Sequence, residues 1–211
     1  MSVVGIVPAG GSGERLGADR PKAFVVCAGR PLIAWSLDVL GSVCDRVVVA
    51  APPGYDEGTD RVRGGESRSA SVRNALAAAP EADIAVVHDA ARPLVTRELV
   101  ERCIAAIQPG IDGAIAAVPM TDTVKEVAPD RRVLRTLDRS QLWAIQTPQV
   151  FKADVLRRAL ERDAAALAAA TDDAWLVDDA GGVITVVESF PENLKVTRES
   201  DLRIAEALLA H

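Results

Sequence analysis

Residues 3–17 read VVGIVPAGGSGERLG, and this stretch decides the class of fold. The apolar run at residues 3–7 ends at Pro8, a pattern that predicts a buried strand opening into a turn. Four glycines follow between residues 10 and 17. Small residues after a first strand let backbone N–H groups approach a phosphate closely. The stretch therefore predicts that a phosphate-bearing ligand binds where the first strand of an α/β sheet ends.

The glycine-rich turn matches neither of two common nucleotide-binding motifs. It is not a P-loop, because no GK[ST] follows a GxxxxG. It is not the dinucleotide fingerprint, because Gly11 and Gly13 would require a glycine at position 16, where the chain has Leu16. Arg15 and Lys22 lie nearby, in GERLG and RPKAF, and two cations beside the turn would neutralise a triphosphate and its transition state. The alternative is a tight turn with solvated surface charges.

The segments that follow alternate between predicted helices and predicted strands. They are a helix at 31–40, a strand at 46–51, a helix at 69–79, a strand at 83–88, a helix at 96–107 and a strand at 113–118. The strands are continuous Val/Ile/Ala runs rather than alternating ones, which is typical of strands covered by helices on both faces. This order of elements predicts βαβ units and a mostly parallel sheet.

Residues 121–137 interrupt this alternation. TVKEV, PDRR and VLRTL predict two short strands around a polar turn, a hairpin that would serve as an arm for dimerisation or as a lid. The remaining predicted elements are a long helix at 152–170, a helix at 171–180, a strand at 182–187 and a terminal helix at 198–209. We expect Ser69 and Thr171 to cap the helices that begin there. Without an internal repeat or a Pro/Ser-rich linker, residues 1–211 are predicted to form one domain.

The sequence HDAARP, at residues 88–93, directly follows the third predicted strand of the α/β alternation. A carboxylate at the C-terminal end of a strand in an open α/β sheet lies where ligands bind. Asp89 is therefore a candidate ligand of Mg²⁺, which usually takes one or two carboxylates together with substrate phosphates. Arg92 would face a phosphate, and His88 is either a packed or a functional residue. The alternative is that Asp89 caps a turn while Arg92 forms a surface ion pair.

Three further segments carry polar groups that would reach the same edge of the sheet. In GGESRSAS, two adjacent glycines free backbone groups to hydrogen-bond a flat base edge, and Ser71 or Ser69 would assist, although a plain helix cap explains the segment equally well. Lys195 in NLKVT, after the last predicted strand, adds one more cation. Thr171 begins TDD, where a hydroxyl and two acids stand at a helix start.

Composition and charge exclude several classes of function. The net charge of −6 comes without a basic stripe, which argues against general nucleic-acid binding. Cys27, Cys44 and Cys103 lie too far apart for a structural zinc site, and sparse, odd-numbered cysteines are typical of a reducing cytosol. No signal peptide and no apolar run of about 18 residues is present, so we expect a cytoplasmic protein with no membrane partner.

Taken in order, these segments resemble a known family, the 2-C-methyl-D-erythritol 4-phosphate cytidylyltransferases of non-mevalonate isoprenoid biosynthesis. The resemblance runs almost the whole chain and rests on PAGGSGERLG, RPKAF, GGESRSASV, VHDAARP, TDTVKEV, LDRSQLWAIQTPQVF, TDDA and NLKVT. HDAARP combined with the late NLKVT is the most specific part. The chain departs from the family pattern at three places, with PAGG for PAAG, Ala23 for a more usual glutamine, and Glu66 for aspartate. None of these departures removes a catalytic group.

The resemblance implies a Rossmann-like α/β sheet with an inserted β-arm, at about residues 119–142, that builds a homodimer. It implies that methylerythritol phosphate attacks the α-phosphorus of Mg²⁺-bound CTP in line, so that pyrophosphate leaves without a covalent enzyme intermediate. Catalysis would then consist of positioning and charge stabilisation. The implied catalytic cations are Arg15, Lys22 and Lys195. The implied nucleotide contacts are Pro8, Ala9, Gly10, Gly11, Gly65, Glu66, Ser71, Asp89 and Ala90, with Asp89 also on the metal. The implied sugar-phosphate contacts are Arg92, Thr123, Arg139 and Thr171, with Thr123 and Arg139 reaching in from the partner's arm.

Two alternatives to this activity remain at the level of sequence. A ribitol 5-phosphate cytidylyltransferase shares the fold and most of these motifs, and the shape of the acceptor pocket decides between two short polyol phosphates. A binding or regulatory dimer without activity is the alternative of a different class, and the joint presence of Arg15, Lys22, Asp89 and Lys195 argues against it.

Overall fold

A computed structural model describes residues 1–210 of the chain. Its strands, numbered in chain order, are β1 (Val3–Pro8), β2 (Val26–Cys27), β3 (Arg30–Pro31), β4 (Arg46–Ala51), β5 (Arg61–Arg63), β6 (Ile84–Val87), β7 (Gly113–Pro119), β8 (Lys125–Val127), β9 (Val133–Thr136), β10 (Trp143–Lys152) and β11 (Ile184–Glu188). Its helices are α1 (Leu32–Gly41), α2 (Arg68–Ala77), α3 (Arg97–Ala105), α4 (Ala153–Leu160), α5 (Ala164–Ala169), α6 (Asp173–Asp179) and α7 (Glu199–Leu209).

Seven of these strands form one sheet in the order β11-β7-β10-β6-β1-β4-β5. β10 runs antiparallel to both of its neighbours, and the other pairs are parallel. The predicted Rossmann-like, mostly parallel sheet is therefore confirmed. The chain moves from β1 to β4 on one side and later returns to β6 on the other. Ligands of open α/β sheets bind at such a reversal, beyond the carboxyl ends of the strands.

The sheet carries helices on both faces because successive β1 side chains point to opposite sides. Val4 and Ile6 pack on one side with α2, α4, α5 and α6. Val3 and Val7 pack on the other side with α1 and α3. α7 packs apart from both layers, near Cys27 in the short β2–β3 hairpin. The two apolar layers hold the strand ends, and the residues that follow them, in fixed positions.

β10 is a central strand that the sequence patterns do not predict. Polar side chains and Pro148 interrupt its apolar character in the middle, at QTPQ. Its pairing with β7 is irregular between Ile145 and Gln149, while Gln149 pairs with Val87 at the end of β6. Such irregularities often lie next to active sites, where they redirect side chains. This one brings a run of polar side chains to the edge of the sheet where ligands are expected.

The predicted helix at 152–170 is wrong, because the structure has two helices there. α4 ends at Leu160, and the side chain of Asp163 accepts a hydrogen bond from the Ala166 N–H at the start of α5. An aspartate in this position caps a new helix more favourably than it continues an old one. The Ala-rich composition gave the segment a uniform helical appearance that concealed this break.

The two expected helix caps are also wrong, and in both cases a neighbouring side chain takes the role. Ser67, rather than Ser69, accepts from the Ala70 N–H and begins α2. Asp172, rather than Thr171, accepts from the Trp175 N–H and begins α6. Where several cap-forming residues stand in a row, the sequence alone does not rank them.

The hairpin predicted at 121–137 is present, with β8 and β9 paired antiparallel. Its strand residues are all exposed, including Val127, Val133 and Leu134. At its base, Trp143 of β10 pairs with Pro119 of β7. Among the described residues, no helix has the length and apolar character that crossing a membrane would require.

Candidate active site

Two adjoining clefts open at the carboxyl ends of β1 and β6. The first is lined mainly by the glycine-rich turn after β1 and by the Gly-Gly loop before α2. The second is lined mainly by residues of β10 and by the segment before α6. Arg68, Asp89 and Lys195 line both clefts. These three side chains therefore mark the place where the two clefts meet, which we call the junction.

The walls of the first cleft require small residues. A Cβ atom at Gly65 would lie 2.5 Å from the Ala70 Cβ, so a larger residue would displace the start of α2. The Gly65 N–H donates to Ser71 Oγ at 3.0 Å, and Ser71 Oγ donates to the Ser67 carbonyl at 2.9 Å. Gly13 has a φ of 82°, a left-handed conformation that glycine adopts without strain and that allows the opening loop to turn. The resulting wall is formed largely by small residues and backbone, which suits the close approach of a nucleobase and ribose.

Asp89 is the buried anion of the junction. Its Oδ2 lies 2.6 Å from Lys195 Nζ, and its Oδ1 accepts a hydrogen bond of 3.0 Å from Arg68 Nε. Burial alone would raise the pKa of this carboxyl, but Arg68 and Lys195 outweigh it and hold the pKa of Asp89 well below its usual range. Asp89 is therefore ionised at every working pH, with a strong cation on each oxygen.

Arg68 extends this ionic cluster away from the clefts. Its Nη1 donates to Asp173 Oδ2, and Asp173 is completely buried at the start of α6. Burial opposes the charge on Arg68, but Asp173 and Asp89 outweigh it and raise the pKa of Arg68 above its usual value. The guanidinium thus bridges two carboxylates on different elements of the fold.

Lys22 lines the first cleft beside the glycine-rich turn. Its backbone N–H donates to the Gly11 carbonyl at 2.9 Å, which fixes the loop that carries it. Burial, assisted by the charge of Lys195, lowers the pKa of Lys22 to about 8. Positive charges that repel one another in the free protein prepare a site that attracts an anion.

Arg92 is the cation that lines the second cleft alone, whereas Arg68 and Lys195 line both clefts. Its Nη1 donates to the Asn193 carbonyl at 2.7 Å, and within residues 1–210 its buried Nε has no hydrogen-bond partner. Burial lowers the pKa of Arg92 from its usual value. Beside it, Gln149 Nε2 donates to Asp172 Oδ2 at 2.8 Å, and Thr171 stands at the rim. A buried guanidinium with an unused donor is suited to an incoming phosphate.

His88 is a packed residue that supports the junction. Thr147 Oγ1 accepts a hydrogen bond from the Asp89 N–H and lies 3.0 Å from His88 Nδ1. His88 Nε2 lies 3.1 Å from the Arg92 carbonyl. Burial lowers the pKa of His88 to about 4, so the ring is neutral, and this network assigns Nδ1 as acceptor and Nε2–H as donor. The histidine connects the backbones of Asp89 and Arg92 rather than facing a ligand.

The structure brings most of the predicted site residues together. The first cleft contains Lys22, Lys195 and all nine predicted nucleotide contacts, namely Pro8, Ala9, Gly10, Gly11, Gly65, Glu66, Ser71, Asp89 and Ala90. Arg92 and Thr171 line the second cleft. Arg15 lines neither; it lies on a short 3₁₀ turn, close enough for its charge to act on Lys22. Thr123 and Arg139 are exposed on or beside the arm, where Arg139 Nη1 donates to the Thr121 carbonyl.

The sequence patterns gave no role to Arg68, Thr147 and Gln149, which line the second cleft, or to Asp173, which is buried behind Arg68. Arg68 and Asp173 stand inside the motifs GGESRSASV and TDDA, so their segments were identified but their side chains were not. Thr147 and Gln149 belong to β10, and the missed strand concealed them. Burial of a charged residue leaves no mark in a single sequence, because it depends on a partner distant in the chain.

Comparisons with known proteins agree on one family. The family model described as "IspD: 2-C-methyl-D-erythritol 4-phosphate cytidylyltransferase" matches residues 3–211. A protein of that name from Frankia casuarinae is 43% identical over 219 residues, which cover 99% of this chain and 81% of the relative. Another from Rubrobacter xylanophilus is 43% identical, covering 98% and 94%. A crystal structure of the Thermus thermophilus protein of that name superposes with a TM-score of 0.84, at 34% identity and full coverage of both chains.

Proposed function

The chain belongs to the 2-C-methyl-D-erythritol 4-phosphate cytidylyltransferase family, and from this premise we propose how its two clefts divide the reaction. The enzyme transfers the cytidylyl group of CTP to 2-C-methyl-D-erythritol 4-phosphate in non-mevalonate isoprenoid biosynthesis. In our proposal the first cleft binds CTP and the second binds the acceptor. The observation that supports it is the junction, where Arg68, Asp89 and Lys195 line both clefts at once.

In the first cleft, the cytidine would lie against the backbone of Gly65 and the hydroxyl of Ser71. The triphosphate would extend from there across the turn after β1, toward Lys22. A phosphate oxygen of the acceptor attacks the α-phosphorus, the bond from that phosphorus to the bridging oxygen breaks, and pyrophosphate leaves with the electron pair. Lys22, Lys195 and Arg15 would stabilise the charge on the phosphoryl oxygens and on pyrophosphate.

In the second cleft, Arg92 would bind the phosphate of the acceptor through its unused donors. Thr171 and the Gln149–Asp172 pair would face the hydroxyl groups of the polyol, because they are uncharged or paired polar groups that line this cleft. A site built to hydrogen-bond hydroxyls rejects analogues that lack or misplace them. This wall is therefore where discrimination between short polyol phosphates would arise.

We propose Asp89 as the residue that holds Mg²⁺ together with the nucleotide. Among the residues that the structure describes, no three acidic, histidine or cysteine side chains are grouped as a metal site. Asp89 uses one position on each oxygen for its cations, and a carboxylate offers about four lone-pair positions. One carboxylate plus phosphates is an ordinary set of Mg²⁺ ligands, so the residues fit a metal that arrives with CTP. When bound, the ion neutralises phosphate charge.

Pyrophosphate release with CTP and Mg²⁺ tests the activity directly, with methylerythritol phosphate and ribitol 5-phosphate supplied in parallel. We expect turnover with the first acceptor only, because the chain belongs to the family that uses it. Selective turnover of ribitol phosphate would contradict the acceptor assignment while leaving the nucleotide cleft intact. No pyrophosphate release with either acceptor would contradict the assignment of an enzymatic activity.

We further propose a homodimer in which each arm completes the partner's second cleft. Thr123 and Arg139 line neither cleft of their own chain, and the arm exposes the apolar side chains of Val127, Val133 and Leu134. Packing these side chains against a second copy would bury apolar surface that is costly to leave in water. We place the reaction in the cytoplasm, since the three cysteines are buried and unpaired, as a reducing compartment favours.

Arg139→Ala is expected to raise the KM for methylerythritol phosphate at least about tenfold and to change the KM for CTP little, since a phosphate contact is lost. The decisive measurement mixes this variant with Lys22→Ala. If Arg139 acts across the dimer, half of a statistical mixture forms heterodimers that carry one intact site, and about a quarter of normal activity returns. Arg135→Ala, on the same arm, is the control. No recovery in the mixture, or equal loss of affinity for both substrates, would contradict the placement.

A further inference from the structure

Arg68, the first residue of α2, lines both clefts and contacts two carboxylates on different parts of the fold. Its Nε lies 3.0 Å from Asp89 Oδ1, and its Nη1 lies 2.5 Å from Asp173 Oδ2. Asp89 follows β6 at the junction, and Asp173 begins α6 immediately behind the acceptor cleft. One guanidinium thus joins the nucleotide side of the site to the acceptor side.

The two cations on Asp89 differ in their freedom to move. The side chain of Lys195 is 40% exposed, and Asp89 is its one ion-pair partner among the described residues. It can turn toward a phosphate because the buried Asp89 carboxylate keeps its ion pair with Arg68. The side chain of Arg68 is 28% exposed, and its second partner, Asp173, is completely buried. Moving Arg68 would leave that carboxylate buried without a counter-charge, which is strongly unfavourable. Arg68 is therefore the fixed contact of Asp89, and Lys195 is the movable one.

We propose that Arg68 is a positioning residue, anchored by Asp173, that holds the Asp89 carboxylate oriented toward the reacting phosphates while Lys195 is released to substrate. The proposal rests on the role given above to Asp89. The planar guanidinium suits this task because its donors are rigidly spaced, whereas a lysine ammonium is a point charge that cannot reach two carboxylates in a fixed geometry. Arg68 is expected to act through Asp89 and not by binding substrate.

The first test compares Arg68→Lys and Arg68→Gln with the wild-type enzyme. Removing a group that orients a metal-binding residue typically costs 10- to 100-fold in activity or metal affinity, so we expect kcat to fall by about that factor and the Mg²⁺ concentration for half-maximal rate to rise. The KM values for CTP and acceptor should change less than about threefold. Arg73→Lys and Arg73→Gln, exposed on the same helix, are the matched controls. Unchanged kcat and Mg²⁺ dependence in Arg68→Lys would overturn the proposal.

The second test separates positioning from simple support of the fold. Arg68→Gln alone leaves Asp173 buried and unpaired, and its loss of activity could follow from unfolding. The double variant Arg68→Gln, Asp173→Asn removes both charges, so thermal stability should return toward that of the wild type. If Arg68 positions Asp89, kcat stays low in the double variant even though its thermal stability is restored. If kcat returns together with stability, the pair is structural and the proposal fails.

Asp89→Asn distinguishes failure of this inference from failure of its premise. An inactive Asp89→Asn enzyme together with a fully active double variant would overturn only the role of Arg68. A fully active Asp89→Asn enzyme would overturn the role of Asp89 and, with it, the positioning proposal.

Discussion

Replacing Lys22 by alanine is expected to lower kcat/KM at least about 10²-fold, the scale for one electrostatic donor at a transition state. The side chain lies beside the glycine-rich turn, in a cleft where it adds to the positive charge of Lys195. Its partial burial makes the charge more effective, because less water screens it. Pyrophosphate release under conditions of low CTP measures the change. Near-normal turnover in Lys22→Ala would contradict its assigned role.

The pH profile supplies a second measurement of the same residue. Burial and Lys195 lower the pKa of Lys22 to about 8; Arg15 and Arg92 act in the same direction, and Asp89 partly offsets them. Lys22 is therefore charged below that pH and loses its proton as pH rises through it. Because kcat/KM reports the free enzyme, it should fall above about pH 8. Lys22→Arg keeps its charge there and should remove this limb, and a limb that persists unchanged would contradict the assignment to Lys22.

The sequence predicted the fold well wherever one local pattern dominates. Residues 46–51, an arginine followed by a continuous apolar run, form β4 with the same bounds. The prediction failed at β10 because the centre of this strand is polar. Its side chains line the second cleft, and the strand is covered by β6 and β7 on either side. The prediction failed again at 152–170, where a capping interaction of Asp163 overrides a uniformly helix-favouring composition. In both places the decisive interaction is a specific contact, which hydrophobic periodicity does not record.

The site residues divide in the same way, into those marked by a local pattern and those defined by a specific tertiary contact. Glycines, strand-end acids and cations near the first turn were identifiable because position in an α/β sheet restricts where ligands bind. The partner of a buried charge could not be identified from the sequence. Asp173 is 84 residues away from Asp89 in the chain, and only the tertiary fold brings both carboxylates to Arg68. Which polar residues contact substrate and which hold other residues is therefore a property of the tertiary structure.

Asp89→Asn is expected to lower kcat about 10²- to 10³-fold, comparable with the loss of a major electrostatic group in an active site. The amide keeps the shape of the carboxylate but loses its charge, and it is a weaker ligand for Mg²⁺. More Mg²⁺ should therefore be needed to reach the half-maximal rate. Arg68 keeps its ion pair with Asp173, so the fold should be retained, and the thermal midpoint serves as the control.

We expect Asp89→Asn and Lys22→Ala to differ in their effect on the affinity for CTP in the absence of Mg²⁺. Removing the negative charge of Asp89 leaves Lys22 and Lys195 facing the triphosphate without an internal competitor, so affinity for the metal-free anion should stay equal or increase although catalysis falls. Removing the positive charge of Lys22 should weaken that affinity at least about fivefold, or about 1 kcal/mol. Calorimetric titration of both variants with CTP in the presence of a chelator measures the difference. Weaker metal-free binding in Asp89→Asn would mean that the carboxylate contacts the nucleotide directly, and the division of roles between metal and cations would have to be revised.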